Sequence, residues 1–447
     1  MSASTPVHDP YAALRYPDFR RLVAGAMLSR VGFEMQGVAV GWELFERTHS
    51  TLALGLVGLV QVVPVLLLSL PAGQVADRYP RKRIMILAQL TLVVVSTCLA
   101  LNSMFEGPVW VMYACLTLAG SAAAFANPAR WAILPQIVSM KDFASAVSWR
   151  TSAWQISSVA GPAVGGAVLA LGYRSASSDL FRGAAPVYVV DAFFGLLVVS
   201  ILARIAPGPR LNRAEPITRE SLFAGLKFVF QHDLILAAIT LDLFAVLLGG
   251  ATALLPKFAE DILHVDSLGF GFLRAAPSIG AVGMAFWMAH RPPLRRSGRS
   301  LLLAVAGFGA ATIVFGLSTH VVLSFVMLMF AGALDHISMV VRGTLVQVLT
   351  PDSMRGRVSA VNSVFVGMSN ELGAFESGVT AAWWGPEAAV VVGGAGCILV
   401  VLTVAWRWPR VGRLGPLSEI HEQAREEPQP RGPEPSKKTS GYPEAIP

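Results

Sequence analysis

The feature that most constrains this chain is a series of long apolar windows, each near the 20 or so residues a membrane-spanning helix requires, separated by short polar gaps. They fall at about 19–46, 51–77, 83–104, 108–134, 142–171 and 185–205 in the first half of the sequence. In the second half they fall at about 228–258, 267–290, 299–318, 321–349, 355–384 and 386–408. Composition agrees: charged residues make up 14% of the 447, against about 25% in soluble proteins. So few charges cannot cover a water-exposed surface, which excludes a cytosolic enzyme, a secreted domain and a disordered chain. The sequence therefore predicts an all-α membrane protein of twelve transmembrane helices in two six-helix halves.

The boundaries read as an N-terminal segment 1–18, a first half 19–205, a central linker 206–227, a second half 228–410 and a tail 411–447. The tail is polar and rich in proline and glutamate, a composition that does not bury enough apolar surface to fold. The N-terminal segment has no apolar core or small-residue cleavage site, so no removable signal peptide is expected. The net charge of +7 comes from basic residues gathered in gaps between spans, which points to membrane topology and not to nucleic acid. One side collects Arg15, Arg20, Arg21, Arg78, Arg81, Lys82, Arg83, Lys141, Arg210, Arg213, Arg219, Arg291, Arg295, Arg296, Arg299, Arg355 and Arg357. The other has little beyond Arg47, Arg174, Arg182 and Lys257. The positive-inside rule then puts both termini in the cytoplasm of a cell whose inner membrane holds the chain.

The halves echo each other. The pattern QIVS at 136–139 followed by Val147 and Ser148 returns 211 residues later as QVLT at 347–350 followed by Val358 and Ser359. Gly161 and Gly166 return at an offset of 212 as Gly373 and Gly378. A shared offset implies two units related by an axis along the membrane normal, the plan of rocker-type transporters.

The loop after the second span reads GQVADRYPRKR over 73–83. It resembles the signature of the major facilitator superfamily at this place, with Pro80 where the pattern has its second glycine. The fifth span carries GPAVGG over 161–166, similar to that superfamily's antiporter and exporter motif. A narrower resemblance is to bacterial exporters related to the enterobactin exporter, the transmembrane secretion effector type. It rests on GFEMQ at 32–36, NPA at 127–129, LLPKFA at 254–259 and PDSMRGRV at 351–358. Relatives often have an aspartate–tryptophan pair where this chain has Phe33 and Glu34, so the acidic group has moved one position, about 100° around the helix. The resemblance implies alternating access, gating by Gly73, Asp77, Arg78, Arg81 and Lys82, and a helix-5 element of Gly161, Pro162, Gly165 and Gly166 that either bends the helix or packs it closely.

Independently of any family, Asp77 is expected in the last turn of its helix, where the macrodipole disfavours a carboxylate by about 0.3–1 kcal/mol. It should find a positive partner, either Arg130 or the start of the eleventh span, or else belong only to the topology signal. Ionisable residues inside spans cost at least about 2.5–3.5 kcal/mol each at mid-bilayer unless paired or hydrated. Arg30 and Glu34 in the first span, four apart, can neutralise each other or serve function, as can Asp335 and Arg342 in the tenth, seven apart on one face. Asp242 in the seventh span and Glu371 in the eleventh have no partner at helical spacing. Desolvation penalises their charged forms, which makes them proton-coupling candidates together with Glu34, Asp335 and Glu376. Arg30, Gln36, Trp42, Trp154 and Arg342 are candidates to line a central cavity, with interfacial anchoring the alternative for the tryptophans.

The function expected is secondary transport of a small organic solute, with proton-driven export the preferred direction. A proton-coupled importer, or a non-transporting sensor or scaffold of transporter descent, is the alternative. No phosphate-binding GxxxxGK[ST] element and no HExxH or GxSxG element occurs in the sequence, so neither ATP use nor catalysis by this chain is expected. Cys98, Cys115 and Cys397 show no metal-ligand spacing, and no metal or cofactor is expected. The partners expected are the lipid bilayer, the solute and protons, with the chain a monomer.

Overall fold

In the computed structural model the chain is described at Asp9 and over residues 11–174, 183–206, 219–291 and 295–416. The tail expected to be disordered lies almost entirely outside these residues, as does most of the central linker. Among the described residues there is no β-strand. Twelve long helices dominate. The first six are α1 (Pro17–Thr48), α2 (Thr51–Arg78), α3 (Arg81–Met104), α4 (Val109–Ala132), α5 (Phe143–Arg174) and α6 (Ala185–Ala203). The second six are α7 (Asp233–Leu248), α8 (Ser267–Ala289), α9 (Ser297–Leu317), α10 (Val321–Leu349), α11 (Asp352–Trp384) and α12 (Pro386–Arg407). Ten spans are long and apolar enough to cross a membrane, α7 being continued to Ile262. The remaining two, α1 and α11, hold more ionisable and polar residues but pack within the same bundle, an arrangement consistent with twelve spans.

Local chemistry explains the breaks. Ser50 caps α2 through its hydroxyl, which accepts from the Ala53 N–H at 3.3 Å. Pro17, Pro186 and Pro386 stand in the first turns of α1, α6 and α12, where a missing N–H leaves no intrahelical bond unmade. The turn between α11 and α12 is the single residue Gly385 at φ 87°, a conformation open chiefly to glycine. The seventh span begins later than its apolar pattern suggests. A separate amphipathic helix, Arg219–Gln231, precedes α7, and its Leu226, Phe228 and Val229 pack on a cluster with Val346, Val358 and Val361 of α10 and α11.

The packing repeats between the halves. Helix α1 packs on α5 and α6, and α7 on α11 and α12; α2 and α3 pack on α4, and α8 and α9 on α10; α3 packs on α6, and α9 on α12. The halves meet along two seams, α2 with α11 and α5 with α8. Both seams are glycine on glycine. A Cβ at Gly378 would lie 2.5 Å from the Gly55 Cα, and one at Gly166 would lie 2.7 Å from the Gly271 Cα. Small residues allow backbones this close, which is how membrane helices gain dispersion contact without a hydrophobic driving force.

The two ends of the molecule differ. The largest apolar cluster lies at the end away from the basic loops and joins both halves, with Leu44 and Phe45 of α1 against Leu255, Phe258 and Phe270 from the segment around the α7–α8 connection. At the basic end the apolar clusters are separate, one holding Phe19, Ile84, Leu134 and Ala146 of the first half and another Val229, Ile235 and Val358 of the second. The halves are thus sealed together at one end and independently packed at the other. Leu67, Trp110, Val322, Leu399 and Trp406 are among the large apolar side chains left exposed, as a lipid-facing surface requires.

Candidate functional site

The centre of the molecule is built by α1, α5, α8 and α11. Arg30 and Glu34, one turn apart on α1, form the ion pair their spacing allows. The Arg30 guanidinium also lies 3.9 Å from the ring centroid of Trp154 on α5 and 5.2 Å from that of Phe33, so a cation–π contact crosses from α1 to α5. Gly161 permits this approach, since a Cβ there would come within 2.4 Å of the Glu34 Cβ, and Gly165 does the same against Met35 at 2.8 Å. The helix-5 element therefore divides its work, Gly161 and Gly165 seating α1 while Gly166 and the buried Pro162 face α8.

Arg274 of α8 completes this centre, and sequence reasoning missed it. Its charge acts on both Arg30 and Glu371 of α11, and one of its N–H groups donates to the Thr252 carbonyl at 2.9 Å. The signal is the arginine itself, inside the apolar window 267–290. Glu376, further along α11, accepts a long hydrogen bond of 3.5 Å from the Ser377 hydroxyl. Arg130 of α4 is partly buried, and the charges of Arg150 and Arg30 act on it.

A second centre lies inside the second half. Asp242, expected to be without a partner, is ion-paired with Arg342 across the α7–α10 contact, and both side chains are buried. The intrahelical pairing considered for Asp335 and Arg342 does not form. The reason is geometric: seven residues along a helix is about 10 Å of rise, whereas α7 brings a carboxylate against Arg342 directly. Asp335 instead lines a small cavity with Asp242, Ala245, Val246, Val305, Phe308 and Ser338, and no cation is paired with it among the described residues. His336 beside it is buried with Nδ1 unpartnered.

Two cavity candidates lie elsewhere. Gln36 is buried against α3, donating to the Ser96 hydroxyl at 3.3 Å, and Ser96 donates to Asp191 of α6 at 2.6 Å. It belongs to a polar network inside the first half because its face of α1 points at α3. Trp42 packs on Phe270 with ring centroids 5.5 Å apart, within the seal at the closed end. Among the described residues that seal carries an ion pair and a cation–π contact between the halves. Arg174 at the end of α5 pairs with Asp266 at 3.0 Å, and Lys257 lies 5.3 Å from the Phe45 ring centroid. Asp266 is also the N-cap of α8, its other oxygen accepting from the Gly269 N–H at 3.0 Å.

In the basic loop, α2 ends at Arg78, so Asp77 stands in its last turn, though its side chain lies outside those described. Gly73 has open space where a Cβ would be, and Arg81 is half-buried. Lys82 donates to the Ala203 and Ile205 carbonyls at 2.7 and 2.6 Å, capping the C-terminus of α6, where a cation is favoured.

Paired helix seams, internal repetition of packing and a charged centre between the halves define a transporter of the major facilitator type. The chain belongs to the transmembrane secretion effector family, whose model matches residues 8–429. It is 27% identical over 386 residues to the enterobactin exporter EntS of Shigella boydii, covering 86% of this chain and 90% of that protein. To the EntS of Citrobacter koseri it is 28% identical over 388 residues, covering 87% and 91%. Among solved structures, a bacterial homologue of the human lysosomal transporter Spinster in an inward-facing, unoccupied conformation matches with a TM-score of 0.69 at 15% identity, covering 94% of this chain and 99% of that one. The nucleoside transporter NupG matches with a TM-score of 0.62 at 11% identity, covering 87% and 98%. The family and these relatives are transporters.

Proposed function

We propose that this chain exports a small organic solute across the bacterial inner membrane by alternating access, driven by protons moving inward. The observation that carries the coupling is the cluster of Asp242, Asp335 and Arg342. Two carboxylates and one guanidinium sum to one negative charge, and uptake of a single proton makes the cluster neutral. A low-dielectric surrounding favours neutrality, since isolated buried charge costs several kcal/mol. Proton release from Asp335 or Asp242 then leaves a charge that favours a different packing of α7 against α10, and α7 is the helix that continues into the seal between the halves.

Export is supported by the relatives named as enterobactin exporters, and the seal at one end with separate clusters at the other supports a state open toward the basic, cytoplasmic side. Glu371, on the α11 side of the centre beside Arg274, stands as a second proton-coupling group. Asp77 and the basic residues after it are proposed to latch the cytoplasmic side when it closes. The test is uptake into inverted membrane vesicles with enterobactin as the first solute. Asp242→Asn should abolish accumulation under a pH gradient while solute counterflow, which needs no net proton movement, continues. Gradient-driven accumulation at the wild-type rate in that variant contradicts the assignment.

A further inference from the structure

The offset of 212 residues that relates the halves also exposes a charge asymmetry between them. It maps Arg30 of α1 onto Asp242 of α7, and Arg130 of α4 onto Arg342 of α10. In the second half this pair of positions neutralises itself, aspartate against arginine. In the first half the same positions hold two guanidinium groups, and the charge of Arg30 acts on Arg130. Glu34 answers Arg30, but no carboxylate among the described residues is paired with Arg130. The Arg30 Nε–H is buried without an acceptor. Beside it Trp154 is 54% exposed, so ring surface remains open next to an unfilled donor. Arg274 adds a further positive charge across the centre.

We propose that the transported solute is an organic anion with an aromatic body, its charged group received by Arg30 and Arg130 and its ring laid against the open surface of Trp154. The bound anion supplies to the first half the negative charge that Asp242 supplies to the second. Guanidinium groups suit this task because their planar forks take carboxylate or similar oxyanions by two parallel hydrogen bonds. The aromatic preference follows from Trp154, which already carries a cation on its ring and offers the adjoining apolar surface for stacking. A neutral solute would leave Arg130 without a carboxylate partner, and a cationic one would add to the positive charge of Arg30, Arg130 and Arg274.

This inference rests on the reading of the chain as a transporter, and equilibrium binding to the purified full-length protein tests it without any gradient or flux. The probes are naphthoate, its neutral analogue naphthamide and the cation naphthyltrimethylammonium, titrated calorimetrically. Naphthoate should bind at least about tenfold more tightly than naphthamide, the scale of a hydrogen-bonded charge, and the cation should not bind. Arg130→Gln should remove the preference for the anion, and Arg130→Lys should keep most of it. Trp154→Ala should weaken naphthoate and naphthamide by similar factors, and its partly exposed side chain makes it a variant that folds if Arg130→Gln does not. Equal affinity for naphthoate and naphthamide in the wild type, binding of neither, or full anion preference in folded Arg130→Gln overturns the proposal. Solute flux without anion preference refutes this inference and leaves transport standing, whereas anion-selective binding without flux of any solute does the reverse.

Discussion

At the residue scale the Asp242–Arg342 pair decides most. Both partners are buried in the second half, and removing one leaves an uncompensated charge, a loss of about 3–5 kcal/mol. Asp242→Asn and Arg342→Gln are each expected to lower the thermal midpoint of the detergent-purified protein, and the double variant should recover most of that loss without recovering gradient-driven uptake. A double variant as unstable as the two singles combined would show that each side chain has other essential partners. The pair was not legible in the sequence, where Asp242 has no cation at helical spacing and Arg342 is a hundred residues away. Local periodicity reports neighbours on one helix, and this contact exists only because α7 and α10 pack. The Arg30–Glu34 pair, one turn apart, is the opposite case: spacing alone brings it together. Arg274 stands in plain view inside a span, where an arginine is as costly as a carboxylate, but the residues it acts on lie on other helices and no spacing links them.

At the scale of the element, the seams and the seal hold the two halves together. Asp266 caps α8 with one oxygen and holds Arg174 of the other half with the other. Asp266→Asn keeps a capping oxygen but loses the ion pair. Its effect on stability should be under about 1 kcal/mol, because the pair is solvent-exposed, and labelling of cysteines placed beneath the seal should rise. Unchanged labelling would mean that apolar packing alone holds that end shut. Gly271→Leu meets the Gly166 backbone on the α5–α8 seam and should hold the closed end apart, blocking transport in a protein that still inserts. Asp77→Asn removes a carboxylate from the last turn of α2, where the dipole opposes it. Slower transport and greater cysteine accessibility at the basic end are expected, and normal values of both would reduce Asp77 to part of the topology signal. In the sequence the glycines of helix 5 fit bending and packing equally. The contacts favour packing, on two different helices, which no single-helix pattern could distinguish.

At the scale of the whole molecule, the fold was largely legible because lipid imposes strict length and polarity limits on every span. Ten spans meet those limits outright, while α1 and α11 spend theirs on charged and polar residues, and these two helices carry Arg30, Glu34, Glu371 and Glu376. The 212-residue offset predicted the repeated packing, but not that the repeat would be broken in charge between Arg30 and Asp242. Loop charge predicts that reporters fused after α2, α4, α6, α8, α10 and at the C-terminus all read cytoplasmic. A periplasmic reading from a fusion at 209–220 would break both the span count and the two-half plan.

On the proposed mechanism the halves rock about these seams under the control of the proton cluster. The most direct test is pulsed electron resonance on spin-label pairs placed at Ser148 and Ser359 for the basic end, and at His49 and His264 for the sealed end, as pH is varied. Reciprocal shifts are expected, the distance at one end lengthening as the other shortens, with the pH response lost in Asp242→Asn. Distances that stay fixed, or that change in the same sense at both ends, would contradict it.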